Sequence, residues 1–371
     1  MKKFPKRTRY GKIMQTVYSF FVQEEITELP LDPFALIKKN KWGLVTYSKL
    51  ANENGITVDE VINGFQSEDG YTIWDGENYT IAYNDTITSP ERIRFTLMHE
   101  IGHIKLGHLT DFEETILRRS ELTEEKYEVL EREAHAFARN SLAPAAVVNR
   151  IKANRPFFII NALMRYFRIS YKAAVVRLEF LSWDSIKAIR YSYFFSKRFS
   201  DFIQNVVCRR WCPECNHVCI NKTAKYCPVC GNDSLISSMG DEPEMIYSKI
   251  DLDELHRAVR CPKCDNEVVV GDYCQICGSY LVNRCTGVLY PNSDIVPHKL
   301  EKDDSACKEF LDGDARYCTQ CGSVSTFYLS ELLMDWQEER QSTSSNEAAA
   351  TVDDPFTPSN VVNIGDDDLP F

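Results

Sequence analysis

Residues 95–103 read Phe95-Thr-Leu-Met-His99-Glu100-Ile-Gly-His103, an H-E-x-x-H pattern from which the expected architecture of the chain follows. On an α-helix, His99 and His103 share one face, so both imidazoles can bind a single zinc ion. Glu100 stands beside the first histidine, where a carboxylate can take a proton from a water bound to the metal. The alternative is an amphipathic helix that carries two ordinary histidines.

A catalytic zinc site needs a third protein ligand and an open position for water. His108 is the nearest candidate, but it follows His103 by five residues and is therefore turned away from the shared face. Metzincin spacing would place a histidine at position 109, which is Leu109. A second predicted helix, over residues 130–142, offers further donors. They are Glu131, Glu133 and His135.

Several motifs in combination resemble the ImmA/IrrE family of metallo-endopeptidases over roughly residues 20–180. They are residues 94–103, Leu106-Gly-His108, the pattern Glu131-x-Glu133-Ala-x-x-Phe137-Ala-x-x-x-Leu142-x-Pro144, and upstream residues 30–34, 67–71 and 81–85. The resemblance implies a zincin-like fold in which His99, His103 and Glu131 bind the catalytic zinc and Glu100 is the general base. Glu131 is preferred to Glu133 because family members vary at the second position. His135 stands where the family usually has Asn or Asp, and it remains a second-layer residue or a competing ligand.

The family resemblance also implies a narrow protein substrate. We expect a helix-turn-helix transcriptional repressor, cut once to relieve transcription in a bacterial, phage or mobile-element circuit. The alternative function is a DNA-associated zinc-ribbon adaptor whose zincin fold is a non-catalytic scaffold.

Composition indicates a globular protein of the cytoplasm. The 371 residues include 44% apolar residues, which is typical of a chain with a sizeable core. No membrane span is expected, and the basic start is a poor signal peptide because Gln23, Glu24 and Glu25 interrupt the apolar run that follows. Most of the 14 cysteines lie in C-x-x-C pairs, which indicates metal binding in a reducing compartment.

A hairpin is predicted before the H-E-x-x-H helix. Residues 71–74 and 79–83 alternate in polarity around Asp75-Gly76-Glu-Asn, a hairpin signal. We expect the strand at residues 79–83 to be the edge strand that holds an extended substrate by β-augmentation. An ordinary core strand is the alternative.

A basic block follows the second predicted helix. Residues 139–210 contain fourteen Lys and Arg against three Asp and Glu, within a chain of net charge −11. Two short helices around residues 157–167 and 171–181, joined by Arg168-Ile-Ser170, predict a helix-turn-helix-like segment. Such a segment is typical of DNA binding, and a helical cap with a solvated basic face is the alternative. The candidate nucleic-acid residues are Arg165, Arg168, Lys172 and Arg177.

Paired C-x-x-C motifs predict closed four-cysteine zinc sites with a structural role. The first site is Cys212, Cys215, Cys227 and Cys230, and the second is Cys261, Cys264, Cys274 and Cys277. A third is expected at Cys318 and Cys321 with Cys285 and Cys307, with His298 as an alternative ligand. Because residues 205–335 carry twenty acidic against thirteen basic residues, protein recognition is favoured over phosphate binding for these zinc ribbons.

The end of the chain is low in apolar residues from about Gln337, and we expect it to be disordered. Its last six residues resemble the acidic tip of bacterial single-stranded-DNA-binding proteins. That resemblance implies docking onto repair and replication proteins that bind such tips, with the ring and carboxylate of Phe371 in an apolar pocket beside a basic group. The expected docking residues are Asp366, Asp367, Asp368, Leu369, Pro370 and Phe371.

Taken together, the sequence predicts an α+β fold in four parts. Residues 1–150 are the zincin-like metallopeptidase domain and 151–205 its helix-turn-helix-like cap. Residues 206–335 are the zinc-ribbon modules, and 336–371 are the acidic tail. One catalytic and two to three structural zinc ions are expected.

Overall fold

The computed structural model describes residues 4–112, 123–155, 158, 160–288, 307 and 309–342. The described residues form two compact units. One lies within Met1–Arg209 and includes Ser237–Glu242, and the other lies within Arg210–Ile236 and Pro243–Phe371. No helix among the described residues is long and apolar enough to cross a membrane.

The first unit is a mixed α/β structure dominated by helices. Its strands are β1 (Gly43–Thr46), β2 (Gly70–Trp74) and β3 (Tyr79–Tyr83). Its helices are α1 (Tyr10–Gln23), α2 (Pro33–Lys39), α3 (Tyr47–Asn54), α4 (Val58–Phe65), α5 (Pro90–Leu106), α6 (Glu124–Leu142), α7 (Ala145–Asn154), α8 (Ile160–Phe167), α9 (Tyr171–Glu179), α10 (Leu181–Lys187), α11 (Ser192–Arg198) and α12 (Ser200–Cys208). A 3₁₀ turn covers Ile189–Tyr191.

The three strands form one sheet in the order β1-β3-β2. The β2–β3 hairpin predicted from the sequence is present, with Gly70 opposite Tyr83 in an antiparallel register. Strand β3 also pairs with β1, in parallel, so it is the central strand. The expectation that residues 79–83 form the edge strand is therefore wrong, because a strand paired on both sides has no free hydrogen-bonding edge. Among the described strands, β2 pairs with β3 alone.

Helix α5 carries the H-E-x-x-H residues, and its ends have clear local causes. The Ser89 side chain caps the first turn by accepting a hydrogen bond from the Arg92 amide at 3.2 Å, and Pro90 occupies the first helical position. Gly107 ends the helix in the left-handed region at φ 72°, a conformation that costs glycine little. The two histidines are thereby fixed on a regular helix.

Helices α5 and α6 pack closely because a glycine lies between them. A Cβ at Gly102 would lie 3.1 Å from the Phe137 ring and 3.3 Å from the Ala134 carbonyl oxygen. Phe137 is fully buried in the main core, where it contacts Phe20 of α1 with ring centroids 5.4 Å apart. This approach brings the donor side chains of α6 next to those of α5.

Helices α8 and α9 form the two short helices predicted for the cap. The Ser170 hydroxyl caps α9 by accepting from the Ala173 amide at 3.3 Å, as predicted. Arg168 turns the chain between the two helices at φ 50°. The inner faces bury Leu163 and Phe167 of α8 and Ala174 of α9, so both helices belong to the same core as α5 and α6. Phe157, which the prediction placed at the start of the first helix, lies outside the described residues.

The second unit has little regular structure and is organised around cysteine clusters. Strand β5 (Val218–Ile220) lies near its beginning, and strands β4 (Arg209–Trp211) and β6 (Ile236–Ser237) lie where the chain passes from one unit to the other. Helix α13 (Thr326–Leu329) follows the last cysteine pair. Its three small buried clusters each include cysteines, and each contains few large apolar side chains. Cores of that size rarely stabilise a fold unaided, so metal ligation is the expected source of stability.

Candidate active site

Three donor side chains converge where α5 faces α6. His99 Nε2 lies 3.0 Å from His103 Nε2 and 3.0 Å from Glu131 Oε2, and His103 Nε2 lies 3.4 Å from Glu131 Oε1. Tetrahedral zinc with bonds of about 2.0–2.1 Å holds such donors roughly 3.3 Å apart, so the observed spacing fits one ion. The structure thus brings together the three residues expected as ligands of the catalytic zinc.

The surroundings of Glu131 favour its charged carboxylate form. Burial raises the pKa of its carboxyl group, but the charges and hydrogen bonds of His103 and His99 outweigh burial and hold the pKa well below its usual value. A carboxylate beside two imidazoles is a donor set that zinc prefers.

Glu133 faces away from these donors and holds the start of the chain instead. It accepts hydrogen bonds from the Arg9 amide at 2.7 Å and from the Arg9 guanidinium at 2.9 and 2.6 Å. Burial raises the pKa of Glu133, but these bonds and one from His108 lower it to about 2. Glu133 therefore does not compete with Glu131 for the metal position.

His135 lies beside the three donors at the exposed side of the site. Its ring centroid is 4.5 Å from that of His99 and 5.7 Å from that of Phe95. Donor atoms of His99, Glu131 and His135 also lie within 4.8 Å of one another, so His135 remains an alternative ligand. The shorter spacing favours the set of His99, His103 and Glu131.

Glu100 is the expected general base, and a strand residue orients it. The Thr72 hydroxyl donates a hydrogen bond of 2.7 Å to Glu100 Oε2, and both side chains are buried. Helix α5, which carries Glu100, can approach β2 closely because Gly70 has no side chain, since a Cβ there would lie 2.6 Å from Thr96 Cγ2. Sequence reasoning missed Thr72, whose only signal was an inward position in a predicted strand.

A small cleft opens beside these residues. It has a volume of about 130 Å³ and is lined by polar and aromatic groups. Besides the residues already described, its lining includes Ser67, Asp69, Gly70, Phe95 and Tyr127. Gly70 begins β2, so one wall of the cleft is the start of a strand whose partner among the described strands is β3 alone.

A chain of hydrogen bonds runs behind His103. Its Nδ1 lies 3.1 Å from Nδ1 of His108, and His108 Nε2 lies 3.1 Å from Glu133 Oε2. Both histidines are buried. His108 lies apart from the three converging side chains, and its position behind His103 was not foreseen from the sequence. No pattern in the sequence pointed to Arg9, which ends this chain of contacts at Glu133.

The second unit contains the three expected four-cysteine groups. They are Cys212, Cys215, Cys227 and Cys230; Cys261, Cys264, Cys274 and Cys277; and Cys285, Cys307, Cys318 and Cys321. Neighbouring sulfur atoms lie 3.4–3.7 Å apart. A disulfide requires about 2.05 Å, whereas four thiolates around zinc at about 2.3 Å lie roughly 3.7 Å apart. The three groups fit closed metal sites, and His298 lies outside the described residues.

The candidate nucleic-acid residues differ in accessibility. Arg168 and Lys172 are exposed. Arg165 forms an ion pair with Asp241. Arg177 is fully buried and donates to Asp184 at 2.6 Å, so its assignment to a nucleic-acid surface is wrong. An arginine that neutralises a buried carboxylate cannot reach a phosphate.

The predicted docking tip lies outside the described residues. It comprises Asp366, Asp367, Asp368, Leu369, Pro370 and Phe371.

Residues 53–179 match the Peptidase_M78 family model, described as the IrrE N-terminal-like domain. The matched range contains α5 and α6 and therefore all three converging donors. It supports a metallopeptidase domain related to the ImmA/IrrE family. No curated protein matches the chain.

Proposed function

We propose that the protein is a zinc-dependent endopeptidase. The observation that carries this proposal is the convergence of His99, His103 and Glu131, with Glu100 held next to them and an accessible cleft in front. The family match over residues 53–179 supports the same activity.

Bound zinc would supply Lewis-acid activation of a water molecule and of the scissile carbonyl. The protein's own contribution is proton transfer and positioning. Glu100 takes a proton from the attacking water as the new C–O bond forms, and delivers it to the leaving amine as the C–N bond breaks. Thr72 fixes one carboxylate oxygen of Glu100, which leaves the other directed to the water.

Strand β2 is the proposed holder of the substrate backbone. It begins at the cleft with Gly70, and among the described strands it pairs with β3 alone. An extended peptide added along the side of β2 that faces away from β3 would gain main-chain hydrogen bonds. The small cleft suits one extended segment and excludes a folded domain, which favours cleavage in an exposed loop or linker.

The proposed substrate is a helix-turn-helix transcriptional repressor of a bacterial, phage or mobile-element circuit. This step rests on the ImmA/IrrE resemblance. A substrate trap tests it. The Glu100→Gln variant retains the metal ligands and should retain uncut substrate in a pull-down read by mass spectrometry. Glu128→Gln, changed at an exposed residue of α6, is the matched control and should retain none. Equal recovery of the same proteins by both variants would contradict the proposal.

DNA association through the basic block of residues 139–210 is a further part of the proposal. The exposed residues that support it are Arg168 and Lys172. Reversal of both charges should weaken salt-dependent DNA binding. Unchanged binding would leave these helices as a cap on the peptidase domain.

The acidic terminus is proposed to recruit repair or replication proteins that dock on single-stranded-DNA-binding protein tips. Support comes from its sequence alone.

The competing function is a zinc-ribbon adaptor with a non-catalytic scaffold, which the three four-cysteine groups favour. An adaptor would keep its biological effect in the Glu100→Gln variant, and a peptidase would lose it.

A further inference from the structure

The second unit contains the same six-residue motif three times. Residues 226–231, 273–278 and 317–322 all read Tyr-Cys-x-x-Cys-Gly and form one turn of each four-cysteine group. In each turn, the amide of the glycine donates a hydrogen bond of 2.9–3.0 Å to the carbonyl of the first cysteine. The amide of that cysteine donates a second bond, of 2.7–2.8 Å, to the carbonyl of the residue after the glycine. The glycines share φ values of 71–74°. We call these turns knuckles A, B and C in chain order.

Knuckles A and C pair with each other in a reciprocal way. The Lys225 and Tyr226 amides of knuckle A donate to the Thr319 carbonyl at 2.8 and 3.1 Å. In return, the Arg316 and Tyr317 amides of knuckle C donate at 2.7 and 2.9 Å to the carbonyl of Pro228, the residue equivalent to Thr319.

The tyrosine ring of each knuckle also packs against the other knuckle. A Cβ at Gly231 would lie 2.9 Å from the Tyr317 ring, and a Cβ at Gly322 would lie 2.9 Å from the Tyr226 ring. Each ring thus covers the glycine of the opposite knuckle. Because both motifs are alike, the pairing is pseudo-twofold, and one knuckle contains both halves of the interface.

Knuckle B has the same turn but no such partner among the described residues. A Cβ at Gly278 would meet nothing within 4 Å there. In knuckles A and C no residue is exposed, whereas in knuckle B every residue except Cys274 is exposed. The difference in exposure between the knuckles is large at one apolar position. Val229 of knuckle A is fully buried, and its equivalent in knuckle B, Ile276, is 71% exposed.

We propose that knuckle B is a self-association surface that pairs with knuckle B of a second copy of this chain. The pair would repeat the A–C geometry, with the Asp272 and Tyr273 amides donating to the Gln275 carbonyl of the other copy and each Tyr273 ring covering the other Gly278. Such a contact is isologous and closes as a dimer. Val270 widens the apolar surface, because it is 70% exposed and is joined to Gln275 by hydrogen bonds.

The surface is small, so the dimer should be weak. Interfaces well below about 1,200 Å² are typical of transient complexes. The apolar exposure explains why it should nevertheless form. Tyr273, Ile276 and Val270 would otherwise remain in water next to a preformed set of backbone donors and acceptors.

Sedimentation equilibrium of the zinc-loaded full chain tests the proposal. The wild-type mass should rise from 42.7 kDa towards twice that value as concentration approaches roughly 200 µM, within the range of weak complexes. Ile276→Glu should remain monomeric with unchanged zinc content, because each copy would bring a carboxylate into the apolar contact. Ile246→Glu, changed at an apolar residue that is 84% exposed in the same unit, should dimerise like the wild type.

A photo-cross-linking residue at position 276 gives an independent readout that does not depend on the charge introduced. It should join two copies, with the linked peptides both from residues 273–278. A wild-type chain that stays monomeric throughout, or an Ile276→Glu variant that dimerises equally, would overturn the proposal. Cross-links from position 276 to any other region would overturn it as well.

Discussion

The Nδ1 atoms of His103 and His108 lie 3.1 Å apart. Only one of the two nitrogens can carry the shared proton. If His103 binds metal through Nε2, its Nδ1 is protonated and donates to His108, whose Nε2 then donates to Glu133. The contacts therefore agree with one set of tautomers, and that set prepares His103 as a ligand.

This relationship predicts that His108 controls zinc affinity without binding zinc. His108→Ala should weaken binding at the peptidase site by about 10–100-fold, as loss of a residue behind a metal ligand commonly does. His108→Gln should recover part of the loss, because an amide can both accept and donate. Competition with a chelator measures the affinity, and His256→Ala in the second unit is the control. Equal affinities for wild type and His108→Ala would contradict the assignment.

The ligand set predicts the zinc content of variants. The wild-type chain should hold about four zinc ions, one at the peptidase site and three in the four-cysteine groups. Glu131→Ala should lose one ion and keep the other three, because the cysteine groups do not share ligands with α6. Elemental analysis measures this directly. Unchanged zinc in Glu131→Ala together with a loss in His135→Ala would show that His135 is the ligand.

The close packing at Gly102 predicts a stability effect. Gly102→Ala places a methyl group 3.1 Å from the Phe137 ring and should cost about 1–3 kcal/mol, which lowers Tm by several degrees. Gly64→Ala is the matched control in α4, where a Cβ would meet nothing within 4 Å among the described atoms. It should leave Tm unchanged or raise it slightly. Thermal denaturation with zinc present compares them, and equal Tm values for the two variants would refute the packing argument.

The proposed recruiting tip predicts that binding energy concentrates in Phe371. Deletion of Phe371, or addition of residues after it, should abolish docking to a purified tip-binding repair factor while zinc content and peptidase activity persist. Replacement of Asp366, Asp367 and Asp368 by Asn should weaken docking mildly, and mainly at low salt. A peptide of the last nine residues should compete. Absence of competition at high micromolar peptide would refute the proposal that this terminus docks as the tips of single-stranded-DNA-binding proteins do.

The features that could be predicted from the sequence are those formed by residues close together in the chain. The α5 helix, the β2–β3 hairpin and the cysteine groups depend on residues close in the chain, so spacing and turn signals identify them. Arg9 and Thr72 could not be found in this way, because they meet Glu133 and Glu100 across 124 and 28 residues.

The two errors have similar causes. Strand β3 became central through its parallel pairing with β1, and such strand order is not encoded in the local alternation of residues. Arg177 was assigned to a basic surface because charge density along the sequence does not show which arginine forms an ion pair with a buried carboxylate. Here Asp184 lies seven residues further along the chain and takes that role.

Cleavage of the trapped substrate is the most direct test of the central claim. The zinc-loaded wild type and Glu100→Gln are compared at equal zinc content, and new termini are mapped by mass spectrometry. The account predicts a single cut by the wild type and a rate lower by roughly 10²–10⁴-fold in the variant, the usual loss when a general base is removed. Equal rates in the two proteins, or no cleavage by the zinc-loaded wild type, would contradict it.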